Sequence, residues 1–397
     1  MASPSFILTA MAGRRLLLLI GLVAAVAAQG GNNGGGEEEE KAGKAAALVP
    51  ALFVFGDSLI DNGNNNNLAS FAKANYFPYG IDFAAGPTGR FCNGYTIVDQ
   101  LAELLGLPLV PPYSQAQASV QQQLQGVNFA SAAAGILDES GGNFVINQSI
   151  SFFLHGLINS NAGRIPFNKQ IDNFEATVEQ IGEAIGKDAA AAMVGRSILF
   201  VGLGSNDYLN NYLMPNYDTR RRYNPRQFAD LLADRYAAQL TRLYKAGARK
   251  FVVAGVGSMG CIPNVLAQSV ESRCSPEVDD MIIPFNANVR ATLRRLAGDL
   301  PAARMVFLDN YGVFKAILGD PAAYGFAVVD RGCCGIGRNS GQVTCLPFMP
   351  PCDDRDRYLF WDAFHPTAAV NVLIAREAFY GGADVVSPIN VRRLAAL

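Results

Sequence analysis

Two histidines occur in the 397 residues, which narrows where general-base chemistry near neutral pH can sit. Imidazole is the side chain suited to that task, with an unperturbed pKa of about 6.5. His155 lies in an apolar stretch, Phe152-Phe-Leu-His-Gly-Leu, with no acid within ten residues on either side, and reads as a packing or surface histidine. His365 lies in Trp361-Asp362-Ala-Phe-His365-Pro366-Thr367. Pro366 suits the first position of a helix running to about Phe379, which places His365 near the N-cap. A turn into that helix can bring Asp362 within reach of His365. The carboxylate then accepts from Nδ1–H and leaves Nε2 free as a base. An acid and a histidine that merely cap the helix are the alternative.

A base needs a nucleophile to work on, and Ser58 is the candidate. It follows Gly56-Asp57 at the end of an apolar run, where its hydroxyl is exposed to a base arriving from another loop. A turn serine bonding its own backbone is the alternative. Asp57 and Asp61 read as turn and hydrogen-bonding residues, and Asn62 with Asn64 to Asn67 as a polar loop over the site. No serine sits in a G-x-S-x-G elbow, so an ordinary α/β-hydrolase is not indicated.

The elements that must position these groups are legible as short apolar runs at 51–55, 198–201, 251–254 and 305–308. Helix-like stretches precede them, for example 228–246 and 278–296. This alternation implies βαβ units and a parallel sheet covered on both faces. Ligands of such sheets sit beyond the carboxyl ends of the strands. Three of those ends are polar or glycine-rich: Gly56-Asp57-Ser58, Gly204-Ser205-Asn206-Asp207 and Gly255-Val256-Gly257. The segment from Gly255 to Gly260 also matches G-x-G-x-x-G. However, Cys261-Ile-Pro263 follows where a dinucleotide-binding fingerprint needs the opening of a helix.

Arg14 and Arg15 precede an apolar run at 16–28 that ends in small residues, the pattern of a secretory signal peptide cleaved after Ala28. The rival is a membrane anchor, but the run is shorter than the roughly 20 apolar residues a span needs. Residues 29–48, rich in glycine and glutamate, read as a disordered lead-in. Without an internal repeat or a proline-rich linker, 49–397 reads as one domain. A net charge of −2 without a basic block argues against nucleic acid and against electrostatic attraction to an anionic membrane.

Seven cysteines and a leader imply disulfides. Cys261 with Cys274 closes a local loop, and Cys333, Cys334, Cys345 and Cys352 pair in either of two ways if the adjacent two are not bonded to each other. Zinc is the rival, but C-x-x-C and a nearby histidine are lacking. Cys92 is left over as a small buried residue. Asn147-Gln148-Ser149 is a sequon.

Together these segments resemble the plant-type GDSL esterases/lipases of the SGNH hydrolase superfamily. Residues 54–64, Val-Phe-Gly-Asp-Ser-Leu-Ile-Asp-Asn-Gly-Asn, are similar to the first block. Asn128-Phe-Ala-Ser-Ala-Ala-Ala-Gly135 resembles the second, Gly204-Ser205-Asn206-Asp207 the third, and Asp362-Ala-Phe-His365-Pro366 the last. Arg90-Phe-Cys-Asn-Gly94 and Gly260-Cys261-Ile-Pro263 extend the likeness. It implies a flavodoxin-like three-layer α/β/α fold with a mainly parallel sheet. It further implies a secreted serine esterase with Ser58, His365 and Asp362 as triad, and Ser58, Gly135 and Asn206 as oxyanion donors. Ala132 to Ala134 stand where many relatives place glycines. Metal and cofactor are not required, and activity should fall as pH drops through the titration of His365. Phe71, Tyr76, Phe77, Tyr79, Phe152 and Phe153 line an acyl pocket or belong to the core. Alternatives on the same fold are a catalytically silent binding protein and an acyltransferase.

Overall fold

The computed structural model describes residues 46–144 and 163–397. The apolar leader, most of the lead-in, Asn147, Phe152, Phe153 and His155 lie outside the described residues.

The expected strands are present as β1 (Leu52–Gly56), β2 (Ile198–Gly202), β3 (Lys250–Ala254) and β4 (Arg304–Leu308). They pair in parallel in that order, and β7 (Val386–Ser387) closes one edge antiparallel to β4. On the other edge an extended segment runs parallel beside β1: Val54 N donates to Val127 O (3.0 Å), and Phe129 N donates to Val54 O (2.7 Å). The chain therefore moves from β1 to one side and then returns to β2 on the other. This reversal is the topological switch point at which open α/β sheets bind ligands.

Side chains alternate across a strand, so each strand feeds two cores. Phe53, Phe55, Leu199, Val201, Phe251 and Val253 face one core. Helices α2 (Phe167–Ile185), α3 (Pro225–Lys245) and α4 (Pro276–Asp299) pack on that side. Leu52, Val54, Ile198, Phe200, Val252 and Ala254 face the second core, with α1 (Ile97–Leu104) and α5 (Ala368–Tyr380). Strands buried on both faces read as continuous apolar runs rather than alternating ones, as these sequences do. The result is three layers, α/β/α.

Helix α5 departs from expectation. Thr367, not His365, occupies its cap position, and Pro366 lies outside the helix. The backbone at 360–366 is held in a tight return, with Trp361 N donating to His365 O (2.8 Å) and a bridge between Phe360 and Pro366. That return takes the histidine out of helical geometry. A short parallel pair, β5 (Val328–Gly332) and β6 (Tyr358–Phe360), leads into it. Among the described residues no helix is long and apolar enough to cross a membrane.

Candidate active site

Gly56 ends β1, and a Cβ there would lie 2.4 Å from Ile60 Cδ1 and 2.8 Å from the carbonyl oxygen of Gly202. Glycine thus lets the chain turn sharply against β2. Asp57 fastens the turn, Oδ1 accepting from Leu59 N (3.0 Å), and Ser58 stands at the rim of the resulting cavity. From the far end of the chain, His365 Nε2 lies 2.8 Å from Ser58 Oγ. On the other side of the ring, Nδ1 lies 2.8 and 2.9 Å from the two oxygens of Asp362. Oδ1 also accepts from the backbone N–H of Phe364 (2.8 Å) and His365 (2.9 Å), and Oδ2 accepts from the Tyr79 hydroxyl (2.6 Å). Capping is thus not the role of this pair: the carboxylate closes on its own loop and on the imidazole.

Asp362 is fully buried. Burial pushes its carboxyl up, but the imidazole beside it, the Tyr79 hydroxyl and the Phe364 N–H outweigh that and hold it below the usual range. The loop that carries it is strapped to a disulfide-bonded segment: Cys333 N donates to Phe360 O (3.0 Å) and Cys334 N to Trp361 O (2.7 Å). The two open pairings resolve as Cys333–Cys352 and Cys334–Cys345, alongside Cys261–Cys274. Cys92 is free and buried, and burial pushes its thiol up to about 12, so it is a packing residue.

Asn206 comes from the turn after β2. Its Nδ2 donates to Ala134 O (2.9 Å) and lies 3.4 Å from Asp57 Oδ2. The longer contact is weak enough to give way to a better acceptor. Asp207 beside it accepts from Ile136 N (2.8 Å), Leu137 N (3.0 Å) and Ser140 Oγ (2.7 Å), tying this turn to the segment after Asn128. Gly135 stands behind the cavity wall. A Cβ there would lie 2.6 Å from Ser140 Cβ and 2.7 Å from Asp207 Oδ1, so this glycine is required by close packing. The residue of this turn that lines the cavity is Ala133, held at φ 66°. That left-handed conformation is uncommon outside glycine. Three consecutive alanines ahead of Gly135 mark the turn in the sequence, but not which of them takes the strained position.

The asparagine run is buried at its start and reaches solvent at Asn67. Asn62, Asn64 and Asn65 are buried. Asn64 Nδ2 donates to the carbonyls of Asn128 (2.8 Å) and Ala130 (2.7 Å), and Asn65 Nδ2 to that of Ala132 (3.1 Å). Asp61 accepts from Gly63 N and Asn64 N, each at 2.8 Å, and from Ala132 N (2.9 Å). Extended segments paired on one side leave backbone groups that must find partners; here short amide side chains supply them and set where Ala133 stands.

Phe71, Tyr76 and Tyr79 line the cavity with Leu209, Phe314 and Phe364, so its walls are mainly apolar. Phe71 is 69% exposed and sits at the mouth, while Phe77 is exposed and does not line the wall. Gly257 also lines it, which accounts for the glycine-rich loop after β3 without a nucleotide.

Residues 52–378 match the family described as GDSL-like Lipase/Acylhydrolase. A GDSL esterase/lipase of Arabidopsis thaliana is 58% identical over 351 residues, covering 88% of this chain and 86% of its own. A second from the same plant is 47% identical, covering 89% and 93%. GDSL esterase/lipase 7 of that plant is 45% identical, covering 88% and 93%. With a mainly parallel α/β sheet, a polar cluster at its switch point and these matches across most of the chain, the protein belongs to the GDSL-like lipase/acylhydrolase family and is a carboxylic ester hydrolase.

Proposed function

We propose that the protein hydrolyses esters with an apolar acyl group through a Ser58–His365–Asp362 triad and an acyl-enzyme. The observation that carries this reading is the unbroken chain from Ser58 Oγ through both ring nitrogens to Asp362, each link at 2.8 Å. Nε2 takes the Ser58 proton as Oγ bonds to the carbonyl carbon, and the same proton passes to the alcohol as the C–O bond breaks. Water then adds by the reverse sequence, releasing the acid and restoring Ser58. Asp362 remains ionised and stabilises the imidazolium.

The developing oxyanion is met by the N–H of Ser58, the side-chain amide of Asn206 and a backbone N–H of the alanine turn. We assign that third donor to Ala133 in place of Gly135, because Ala133 lines the cavity and Gly135 packs against Asp207. Secretion is part of the same reading, supported by the leader at 16–28 and three disulfides. A mature N-terminus other than Gln29, read from the secreted protein, would overturn cleavage after Ala28, and a glycosidase-induced mass shift tests Asn147.

The decisive assay is hydrolysis of p-nitrophenyl esters from acetate to palmitate by the wild type and Ser58→Ala, with fluorophosphonate labelling of both. Turnover and labelling that vanish together in the variant are expected. A wild type inert to every ester and unlabelled would replace the esterase reading with a silent binding protein.

A further inference from the structure

The triad ends, in the mechanism above, at Asp362. The structure continues it. Oδ1 of Asp362 is anchored by two N–H groups of its own loop, whereas Oδ2 meets, besides the imidazole, only the Tyr79 hydroxyl among the described residues. Tyr79 is itself immobilised: it is 1% exposed, and its ring meets Tyr76, Phe91 and Trp361 edge-on at centroid distances of 5.3, 6.0 and 6.2 Å. Its oxygen lies 3.3 Å from Thr344 Oγ1. Thr344 precedes Cys345, whose carbonyl accepts from the Tyr76 hydroxyl (2.9 Å). Cys345 is bonded to Cys334, and Cys334 N donates to the carbonyl of Trp361, the neighbour of Asp362. The contacts form a closed ring: Asp362, Tyr79, Thr344, Cys345, Cys334, Trp361 and back to Asp362. Neither the phenol nor the carboxylate can move relative to the other without breaking a link.

We propose that Tyr79 is a positioning residue for ester hydrolysis, donating its hydroxyl proton to Asp362 Oδ2 and, through the disulfide-closed ring, keeping the carboxylate aimed at His365 Nδ1. The inference rests on the triad reading. Burial and the neighbouring carboxylate keep the phenol protonated well beyond the ordinary tyrosine range, so it remains a donor at every working pH. Because the phenol shares the charge on Oδ2, it also moderates how strongly Asp362 stabilises the imidazolium. The titratable groups facing this carboxylate are His365, Tyr79 and Tyr76.

Tyr79→Phe tests the proposal in the full chain. A lost hydrogen bond to a charged, buried acceptor is worth roughly tenfold, so kcat on a p-nitrophenyl ester should fall about tenfold with KM nearly unchanged. With the full charge of Oδ2 left to the imidazole, the acid limb of kcat/KM should move to higher pH. Thr344→Val should shift both in the same directions but less, and Thr344→Ser should restore them. A Tyr79→Phe enzyme that keeps wild-type kcat overturns the proposal. So does one whose losses follow a lowered melting temperature with the acid limb unmoved, since that is a packing role. Ser58→Ala separates the readings: full turnover in that variant would refute the triad itself, whereas an inert Ser58→Ala beside a wild-type Tyr79→Phe refutes only the role of Tyr79.

Discussion

Two groups of buried carboxylates flank the same cavity and behave in opposite ways. On the side formed by β1 and β2, burial pushes Asp57 up to about 7 and Asp61 and Asp207 up to about 6, although backbone N–H groups bond to all three. On the side formed by the 360–366 return, Asp362 is as deeply buried yet is held below its usual range. The number of donors does not separate them, for Asp61 accepts three backbone N–H bonds. What separates them is direct bonding to the imidazole: His365 also lowers Asp57 through space without overcoming its burial, whereas Asp362 adds hydrogen bonds to Nδ1 and to the Tyr79 hydroxyl, and together these outweigh desolvation. One side therefore presents a committed anion that can steady a charge forming on His365. The other uses carboxylates as acceptors that pin turns.

The sharpest way to break this contrast is to neutralise one carboxylate on each side. Asp362→Asn should lower kcat about 10⁴-fold, since the imidazole loses both its tautomer and its counter-charge, while Asp57→Asn should retain most activity; equal losses in the ester assay would erase the distinction. Next in size, Asn206→Ala removes a side-chain donor to the oxyanion and should lower kcat by about 100- to 1000-fold with KM little changed. Steady-state kinetics on one ester decide it. Asp207→Asn should leave one of its acceptor positions unable to serve Ile136, Leu137 and Ser140, costing about 1–3 kcal/mol in urea denaturation.

The pH dependence of stability follows from the same contrast, with opposite signs. Asp57, Asp61 and Asp207 have folded values above the ordinary 3.8. Their contribution is present in full below that value and is lost as pH rises to about 7. Asp362, lowered, contributes stability above the ordinary value and loses it as pH falls beneath it. Melting temperature should therefore decline between about pH 4 and pH 7, and Asp57→Asn should flatten that decline. A wild-type curve rising steadily over this window would contradict it. The smallest effect is expected at the mouth, where Phe71→Ser should reduce kcat/KM about fivefold on palmitate and leave acetate unchanged.

Much of this arrangement is legible in the sequence. The four central strands announce themselves because both of their faces are buried, and the Asp362/His365 pair because histidine is so rare here. Pro366 suits a first helical position by type, yet α5 begins at Ala368, because the backbone bonds around Trp361 and His365 hold the proline in a return. The asparagines after Asp61 read only as a polar loop, because polarity indicates that a residue needs partners without naming them; for Asn64 and Asn65 those partners are carbonyls of the Asn128 segment.

By itself the sequence determined which chemistry is possible: the order of strands and polar turns, a histidine with an aspartate three residues before it, and enough cysteines for three bridges. The tertiary structure decided everything that depends on distance in space. It chose between the two pairings of Cys333, Cys334, Cys345 and Cys352, put Ala133 at the cavity in place of Gly135, and set the Tyr79 hydroxyl on Asp362 across 283 positions of chain. Residue type and short spacing encode what a side chain can do. Which partner it meets is settled by how the layers pack, because contacts between distant segments exist only after both have been brought to the same sheet edge.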